Sequence, residues 1–323
     1  MSINKLAKSE TKSVPVHPLI VMGIGVLAVS TASLFIRYAQ TEASSLTIAA
    51  SRLALAALFL MPVALKRNGK ELAQLSRKQV GLLLLGGVFL AIHFASWITS
   101  LQYTTVASSV VLVATSPLWV ALLSPLILRE RLKSSLWIGL AITLLGASIV
   151  GMSSACQFYN GSLVCSPISQ FIEGKAFLGN ALALLGALMS AGYLLIGRQL
   201  RATVSLVSYT FMVYGTAAIV LVLAVVLTGQ KVVGFSPLIY VWFLALAIVP
   251  QLIGHSSFNW ALKYLSAAYI SVALLGEPIG SSLLAYFFLT ETPSIVEIFG
   301  GLLILIGIYL TSRAERKSRI TPS

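Results

Sequence analysis

The chain carries one pattern twice, as SPLWVALLSPLILRERL (residues 116–132) and as EPIGSSLLAYFFLTETP (residues 277–293). Pro117 corresponds to Pro278 and Glu130 to Glu291, both at an offset of 161 (278 − 117 = 291 − 130). Further pairs at the same offset are Arg37 with Arg198, Gly25 with Gly186, Tyr103 with Tyr264, Gly139 with Gly300 and Gly146 with Gly307. Because charged, aromatic and glycine pairs share one offset, the 323 residues are essentially one unit duplicated.

The composition indicates a protein that lies in a lipid bilayer. Hydrophobic residues make up 58% of the chain and charged residues 10%, and the mean hydropathy is +0.94. Long apolar stretches of this density are typical of membrane proteins. The net charge of +13 comes from short basic clusters between apolar runs, which is a topology signal and not a nucleic-acid-binding stripe.

Ten segments are long and apolar enough to cross a bilayer, which takes about 20 residues each. They cover about 18–39, 45–65, 80–101, 104–128, 135–152, 177–197, 204–228, 237–262, 265–289 and 294–312. We therefore predict an all-α membrane protein of ten transmembrane helices. Its parts are a tail (1–17), a first five-helix repeat (18–152), a linker (153–176), a second five-helix repeat (177–312) and a tail (313–323).

Each repeat holds an odd number of spans, so the second enters the membrane from the opposite side to the first. Such inverted repeats are a recurring architecture of secondary transporters, in which two similar halves open a central site to either side in turn. The duplication therefore favours alternating access.

The basic residues predict the sidedness. With the first tail inside, 18 of the 22 Lys and Arg residues lie on the cytoplasmic side, and the exceptions are Arg37, Arg52, Lys175 and Lys231. This bias places both termini in the cytoplasm and the protein in a bacterial inner membrane. The first span lacks a small-residue cleavage site, so we expect it to be retained.

The longest linker holds the only two cysteines, Cys156 and Cys165. It falls on the outer side of the membrane, where an oxidising compartment permits a disulfide that closes the loop. Two free thiols are the alternative. A bridge here is expected to restrain the linker and not to perform redox chemistry.

The sequence resembles the drug/metabolite transporter superfamily, and within it the EamA-type exporters with ten spans. The resemblance is carried by SLQYTTVASSVVLVATSPLWVALLSPLILRERLKSSLWIGLAITLLGASIVG (100–151), YLSAAYISVALLGEPIGSSLLAYFFLTETPSIVEIFGGLLILIGIYL (264–310) and ASRLALAALFL (50–60). It implies a bundle whose central cavity is lined by spans 1 to 4 and 6 to 9, with spans 5 and 10 peripheral. It also implies a small-molecule substrate such as an amino acid, another metabolite or a drug.

Two charged residues lie within predicted spans, where charge is costly and function is the default hypothesis. Arg52 lies about one third into span 2, so it is either a functional group or a structural anchor on helix carbonyls or lipid phosphate. Glu277 lies near the middle of span 9, directly before Pro278. Burial favours the protonated form of a carboxyl group, so Glu277 is our candidate coupling residue. A neutral, hydrogen-bonded helix contact is its alternative.

Further cavity candidates come from helical spacing. His93 with Trp97, and His255 with Asn259, are four residues apart and share a helix face, where a ring and a polar group can hold an organic solute. Packing is the alternative for each pair. Thr115 and Ser116 precede Pro117, and a proline frees the carbonyl four residues before it, so polar residues beside the break can line a cavity.

These observations favour an exporter of small organic solutes that works by alternating access, with a passive uniporter as the alternative. A non-transporting receptor or scaffold fits the spans but not the duplication. We predict no enzyme activity, no cofactor and no metal, because the sequence holds no nucleophile with a base, no phosphate-binding GxxxxGK[ST] and no cluster of metal ligands. The sequence leaves the oligomeric state open and favours a monomer.

Overall fold

The computed structural model describes residues 18–128, 134–153, 156–159, 162–165, 174–265, 270, 273–274 and 276–320. The first-half helices are α1 (Pro18–Ser30), α2 (Ala32–Ala39), α3 (Ser45–Ala73), α4 (Arg77–Ser100), α5 (Val106–Val113), α6 (Ser116–Leu128) and α7 (Ser134–Met152). The second-half helices are α8 (Lys175–Leu200), α9 (Leu206–Leu227), α10 (Pro237–Leu246), a π-helix (Ala247–His255), α11 (Ser256–Ala261), α12 (Gly276–Leu289) and α13 (Ile295–Ile320). The predicted tail 1–17 and Glu130 lie outside the described residues.

The described helices are consistent with an all-α membrane protein. Seven helical segments are long and apolar enough to cross a membrane: Ile20–Ala39, Ser45–Ala73, Arg77–Ser100, Val106–Ser124, Lys175–Leu200, Leu206–Leu227 and Pro237–Ala261. Shorter apolar helices lie at Ala141–Val150 and Ile295–Gly307. The final helix continues to Ile320, past the predicted span end at residue 312.

The linker contains the two β-strands found among the described residues. Strand β1 (Cys156–Tyr159) pairs antiparallel with β2 (Ser162–Cys165), and Cys156 lies opposite Cys165 in the register. Cys165 is disulfide-bonded, and Cys156 is the only other cysteine in the sequence.

The sequence repeat is also a repeat of helix boundaries. Helix α3 begins at Ser45 and α9 at Leu206 (206 − 45 = 161). Their N-caps, Ser44 and Ser205, each accept a backbone N–H bond three residues on, at 3.2 and 3.3 Å. A serine at this position satisfies a donor that the first helical turn leaves free. The same offset separates the starts of α7 and α13 and the ends of α6 and α12.

The offset of 161 residues also relates the pairs of helices that pack on each other. Helix α4 packs on α8. The π-helix and α11 together correspond to α4, and α1 corresponds to α8; these counterparts also pack on each other. Helix α3 packs on its own counterpart α9, and α7 on its counterpart α13. The pattern of neighbours is therefore unchanged when the two halves are exchanged.

Helices α7 and α13 approach each other through glycines that the sequence places seven residues apart. A Cβ added to Gly146 would lie 2.7 Å from the carbonyl oxygen of Gly300, and one added to Gly307 would lie 2.7 Å from that of Gly139. Small residues permit such close backbone contact in membrane helices. These glycines therefore pack the two halves of the chain together.

Helix boundaries lie beside both prolines of the repeated pattern. Helix α5 ends at Val113 and α6 begins at Ser116, one residue before Pro117. The Ser116 hydroxyl donates to the Val113 carbonyl at 2.8 Å, which is the group that Pro117 leaves without its helical donor. In the second half, α12 begins at Gly276, and the Glu277 N–H donates to the Leu274 carbonyl at 3.0 Å.

A third irregularity lies in the segment formed by α10, the π-helix and α11. Pro250 lies inside the π-helix, where it removes a backbone donor and disfavours regular α-helical bonding. Wide turns of this kind are frequent at functional sites. The turn carries Gln251 and His255, which contribute to the site described below.

Candidate functional site

The helix breaks meet at a central cavity of about 50 Å³. Its described lining residues come from α1, α4, the α5–α6 break, α8, the π-helix, α11 and the start of α12. They are Val29, His93, Trp97, Val113, Ala114, Ser116, Pro117, Ser190, Tyr193, Leu194, His255, Phe258, Leu274 and Glu277. Helices α7 and α13 supply none of these described residues, and neither do α3 and α9, although the resemblance implied that spans 2 and 7 line the cavity.

Four pairs of equivalent positions line this cavity together. They are Val29 with Ser190, Trp97 with Phe258, Val113 with Leu274 and Ser116 with Glu277 (190 − 29 = 258 − 97 = 274 − 113 = 277 − 116 = 161). A cavity whose wall contains both members of each pair lies where the two halves meet. One pair differs in its acid–base chemistry, because the second half has the acid Glu277 where the first half has the hydroxyl of Ser116.

Aromatic rings form one side of the cavity. The carbonyl of Gly186 lies 2.9 Å from His93 Nδ1, and since a carbonyl only accepts, Nδ1 donates. The His93 ring stacks on Trp97 with centroids 6.0 Å apart, and His255 lies edge-on to it at 6.5 Å. The indole nitrogen of Trp97 is buried and has no hydrogen-bond partner among the described residues. The wall thus offers flat apolar faces and an unused donor.

Glu277 is the only described carboxylate in the lining. Its side chain is partly buried and forms no hydrogen bond or ion pair with the described residues. A carboxylate in this position can accept a proton or a hydrogen-bond donor from a bound solute. Its counterpart Ser116 is committed to the Val113 carbonyl, as described above.

Asn259 is not one of the described residues that line the cavity, and it lies behind the cavity wall. It accepts from the Tyr193 hydroxyl at 2.7 Å and donates to Tyr214 Oη at 3.2 Å. Tyr193 lines the cavity, so Asn259 orients a wall residue. Thr115 also lies outside the lining, and its hydroxyl donates to the Leu112 carbonyl at 2.7 Å.

Arg52 is fully buried, at 0% exposure, and does not reach the surface as a lipid anchor would. Its Nε donates to Gln251 Oε1 at 2.8 Å, and its guanidinium carbon lies 4.1 Å from the centroid of the Phe94 ring. The Phe94 ring lies 5.2 Å from that of His255, which lines the cavity. Arg52 therefore reaches the central space only through the rings of Phe94 and His255.

Five of the seven predicted cavity residues thus share one lining: His93, Trp97, Ser116, His255 and Glu277. Pro117 also lines it, whereas Pro278 borders a separate apolar groove of about 420 Å³ between α5, α12 and α13.

The sequence-based candidates omit Tyr193, Ser190, Phe258 and Gln251. The 161-residue offset, applied to Trp97, would have pointed to Phe258. Gln251 could also have been identified from the sequence, because it is a polar residue directly after Pro250 in the middle of a predicted span.

Arg37 and Arg198, which with Arg52 are the arginines we predict to be structural, contact groups at helix ends. Arg37 Nη2 lies 2.7 Å from Glu291 Oε1 and 3.3 Å from the Thr104 carbonyl. Its counterpart Arg198 donates to the Leu262 carbonyl at 2.7 Å. The sequence around Glu291 holds no basic neighbour, so its partner is visible only in the fold.

Other carboxylates outside the cavity join helix ends. Glu71 accepts from Ser205 N at 2.7 Å and from the Ser208 hydroxyl at 2.6 Å. Glu42 accepts from Ser236 N at 2.9 Å, and this bond with that of the Ser236 hydroxyl holds the pKa of Glu42 below its ordinary value. Among the described residues, no three His, Cys, Asp or Glu side chains are grouped as metal ligands would be.

The chain matches known proteins over most of its length. The model of the EamA-like transporter family matches residues 18–152 and 177–313. An uncharacterized transporter of Archaeoglobus fulgidus is 24% identical over 290 residues, covering 90% of this chain and 94% of that protein. The pseudopaline exporter CntI of Pseudomonas aeruginosa is 26% identical over 243 residues, covering 75% of this chain and 78% of that protein.

A solved protein crystal structure shares the fold, with a TM-score of 0.63 over 93% of this chain and 98% of that one, at 18% identity. The family is one of transporters and its named relatives are transporters or exporters, not enzymes. The chain is a multi-pass membrane protein that belongs to the EamA-like transporter family.

Proposed function

We propose that this protein is a secondary transporter that exports small organic solutes across the bacterial inner membrane by alternating access. The observation that carries the proposal is the cavity wall, in which four pairs of repeat-equivalent positions face one space. Two similar halves around one site can exchange their conformations and so open that site to either side. One relative is named an exporter, which supports the outward direction.

The size of the cavity supports a closed state between two open ones. Ligand pockets for drug-sized molecules enclose about 300–1,000 Å³, whereas this cavity encloses about 50 Å³. A solute of more than a few atoms therefore requires the walls to separate. The helix break at Pro117 and the start of α12 at Gly276 border this region and supply points where the two halves can bend.

The proposed topology has ten spans from two inverted five-helix repeats, with both termini in the cytoplasm. It rests on the repeated helix boundaries, on the exchange of packing partners and on the basic residues of the sequence. In this topology the Cys156–Cys165 hairpin is extracytoplasmic, and the disulfide restrains the linker between the repeats. Both cysteines should react with an impermeant thiol reagent only after reduction, and labelling of unreduced cells would contradict the bridge.

We further propose that Glu277 couples export to protons. Its carboxylate lines the cavity, forms no hydrogen bond or ion pair with the described residues and interacts electrostatically with Arg52. An ionisable residue at membrane depth is a functional candidate by default. Such a group can take up a proton from one side and release it to the other. Its counterpart Ser116 has a hydroxyl that does not exchange a proton near neutral pH, so the proposal assigns proton coupling to the second half of the chain alone.

The test is solute flux into proteoliposomes with and without a pH gradient, for wild type, Glu277→Gln and Glu297→Gln. Glu297 is the control, because it is a buried carboxylate that lies outside the cavity lining and accepts from the Ser108 hydroxyl at 2.6 Å. We expect the gradient to drive flux in wild type and Glu297→Gln but not in Glu277→Gln. Flux that ignores the gradient in wild type would favour a uniporter, and absence of any flux would favour a receptor or scaffold.

A further inference from the structure

A cluster of buried hydrogen-bond donors lies beside the central cavity and has no acceptor. Arg52 Nη1 and Nη2 and the side-chain nitrogen of Gln251 are buried, and none has a partner among the described residues. The Arg52 Nε bond to Gln251 Oε1, at 2.8 Å, holds the two side chains together. The donors therefore form one group, contributed by α3 and by the π-helix.

This arrangement is costly for a residue whose only role is packing. A guanidinium at 0% exposure has lost its hydration. Glu277 interacts with its charge but forms no ion pair with it, and the neutral amide of Gln251 does not replace a direct counter-ion. The contact with the Phe94 ring, at 4.1 Å, recovers part of this loss but leaves both terminal nitrogens without an acceptor. An anion that binds to the group would remove most of the cost.

The geometry selects the kind of anion. The two terminal nitrogens of a guanidinium form a planar fork that matches the two oxygens of a carboxylate. The Phe94 and His255 rings separate this fork from the cavity, and His255 belongs to the same π-helix as Gln251. A shift of this one helical turn would expose the fork to a solute that is already in the cavity.

We propose that Arg52 and Gln251 form a carboxylate-binding subsite of the central cavity, so that the transported solutes carry a carboxylate group. This inference rests on the proposed transport function. Glu277, in the cavity lining, provides the complementary site for a cationic or hydrogen-bond-donating end of the solute. A solute with both groups is neutral overall and matches both walls.

The test is the thermal unfolding midpoint, Tm, of the full-length purified protein with benzoate or with its neutral analogue benzamide at constant ionic strength. We expect benzoate to raise Tm in wild type and benzamide to leave it unchanged. Arg52→Met should abolish the benzoate shift without lowering the Tm of the free protein, because methionine fills the space without an uncompensated charge. A purely structural arginine would instead lower that Tm.

Two further variants keep the test decisive if Arg52→Met does not fold. Gln251→Leu removes the residue that positions the fork and should weaken the benzoate shift. Glu277→Gln should preserve or increase the shift, because it removes the carboxylate of the protein that could compete for Arg52. If Arg52 binds Glu277 in place of a solute, Glu277→Gln would lower the Tm of the free protein and Arg52→Met would do the same.

Equal shifts for benzoate and benzamide, no shift for either, or a benzoate shift that persists in Arg52→Met would overturn the subsite. These outcomes are separate from the flux measurements. Gradient-driven flux with no carboxylate preference rejects only the subsite, whereas benzoate binding without flux rejects only transport.

Discussion

Arg37 and Glu291 form an ion pair of 2.7 Å although 254 residues separate them in the sequence. The second carboxylate oxygen of Glu291 accepts from Val106 N at 2.8 Å, at the start of α5. One side chain therefore holds α2, α5 and the segment between α12 and α13 together. These three elements come from both halves of the chain, so the contact closes one end of the bundle.

We expect the double-mutant cycle of Arg37→Met and Glu291→Gln to give a coupling free energy of at most about 1 kcal/mol, because the pair is partly exposed. Glutamine retains an oxygen for Val106 N, so the cycle isolates the charge. Glu71→Gln combined with Arg37→Met is the control and should be additive. Denaturant unfolding in detergent measures each value, and a coupling equal to that of the control would remove the ion pair from the account.

The Ser116 hydroxyl is expected to stabilise the broken helix. Ser116→Ala leaves the buried Val113 carbonyl without its donor, which should lower the free energy of unfolding by about 1–3 kcal/mol. Ser116→Thr keeps the hydroxyl and should cost less. Ser190→Ala is the matched control, because Ser190 lines the same cavity but has no hydrogen bond among the described residues. If the two alanine variants unfold alike, the carbonyl has another donor.

The close approach of α7 and α13 predicts a large effect from one methyl group. Gly146→Ala would place its Cβ 2.7 Å from the Gly300 carbonyl oxygen, so the helices must separate, at a cost of about 1–3 kcal/mol. Gly23→Ala meets nothing within 4 Å and should be neutral or slightly stabilising. The Tm of each purified variant tests this, and equal Tm values would contradict the close packing.

The Glu42 contact predicts a pH dependence of stability at a site outside the membrane spans. Bonds from the Ser236 hydroxyl and N–H lower the pKa of Glu42 in the folded protein, so they contribute stability above the ordinary value of 4.5. That contribution is lost as the pH falls through the lower, folded-state pKa. Glu42→Gln should therefore have a lower Tm than wild type at pH 7, and the difference should shrink in acid. A difference that is constant with pH would contradict the assignment.

The sequence predicts much of the helical scaffold, because its determinants are local or periodic. Long apolar segments give helix positions, Ser44 and Ser205 mark two helix starts, and the prolines mark the breaks. The offset of 161 residues goes further, since it relates positions that are distant in the chain. It places Ser116 and Glu277 in equivalent places, and both line the cavity.

Long-range partners were not predictable from one sequence. Nothing near Arg52 in the sequence indicates that Gln251 meets it, because this contact depends on how α3 packs against a π-helix. The pairing of Arg37 with Glu291 likewise depends on helix ends that meet only after folding. Asn259 shares a face with His255 by spacing, yet it lies behind the wall because two tyrosines occupy its amide.

Alternating access itself is tested most directly by labelling Ser190→Cys in a chain whose native cysteines are replaced by serine. Ser190 lines the cavity, so a small impermeant thiol reagent reports whether each side of the membrane reaches it. We predict labelling from both sides. A cross-link between Arg37→Cys and Glu291→Cys should abolish labelling of the Ser190→Cys thiol from the side of that contact. It should preserve labelling from the other side and stop flux. Labelling from only one side before cross-linking, or from both sides after it, would contradict alternating access.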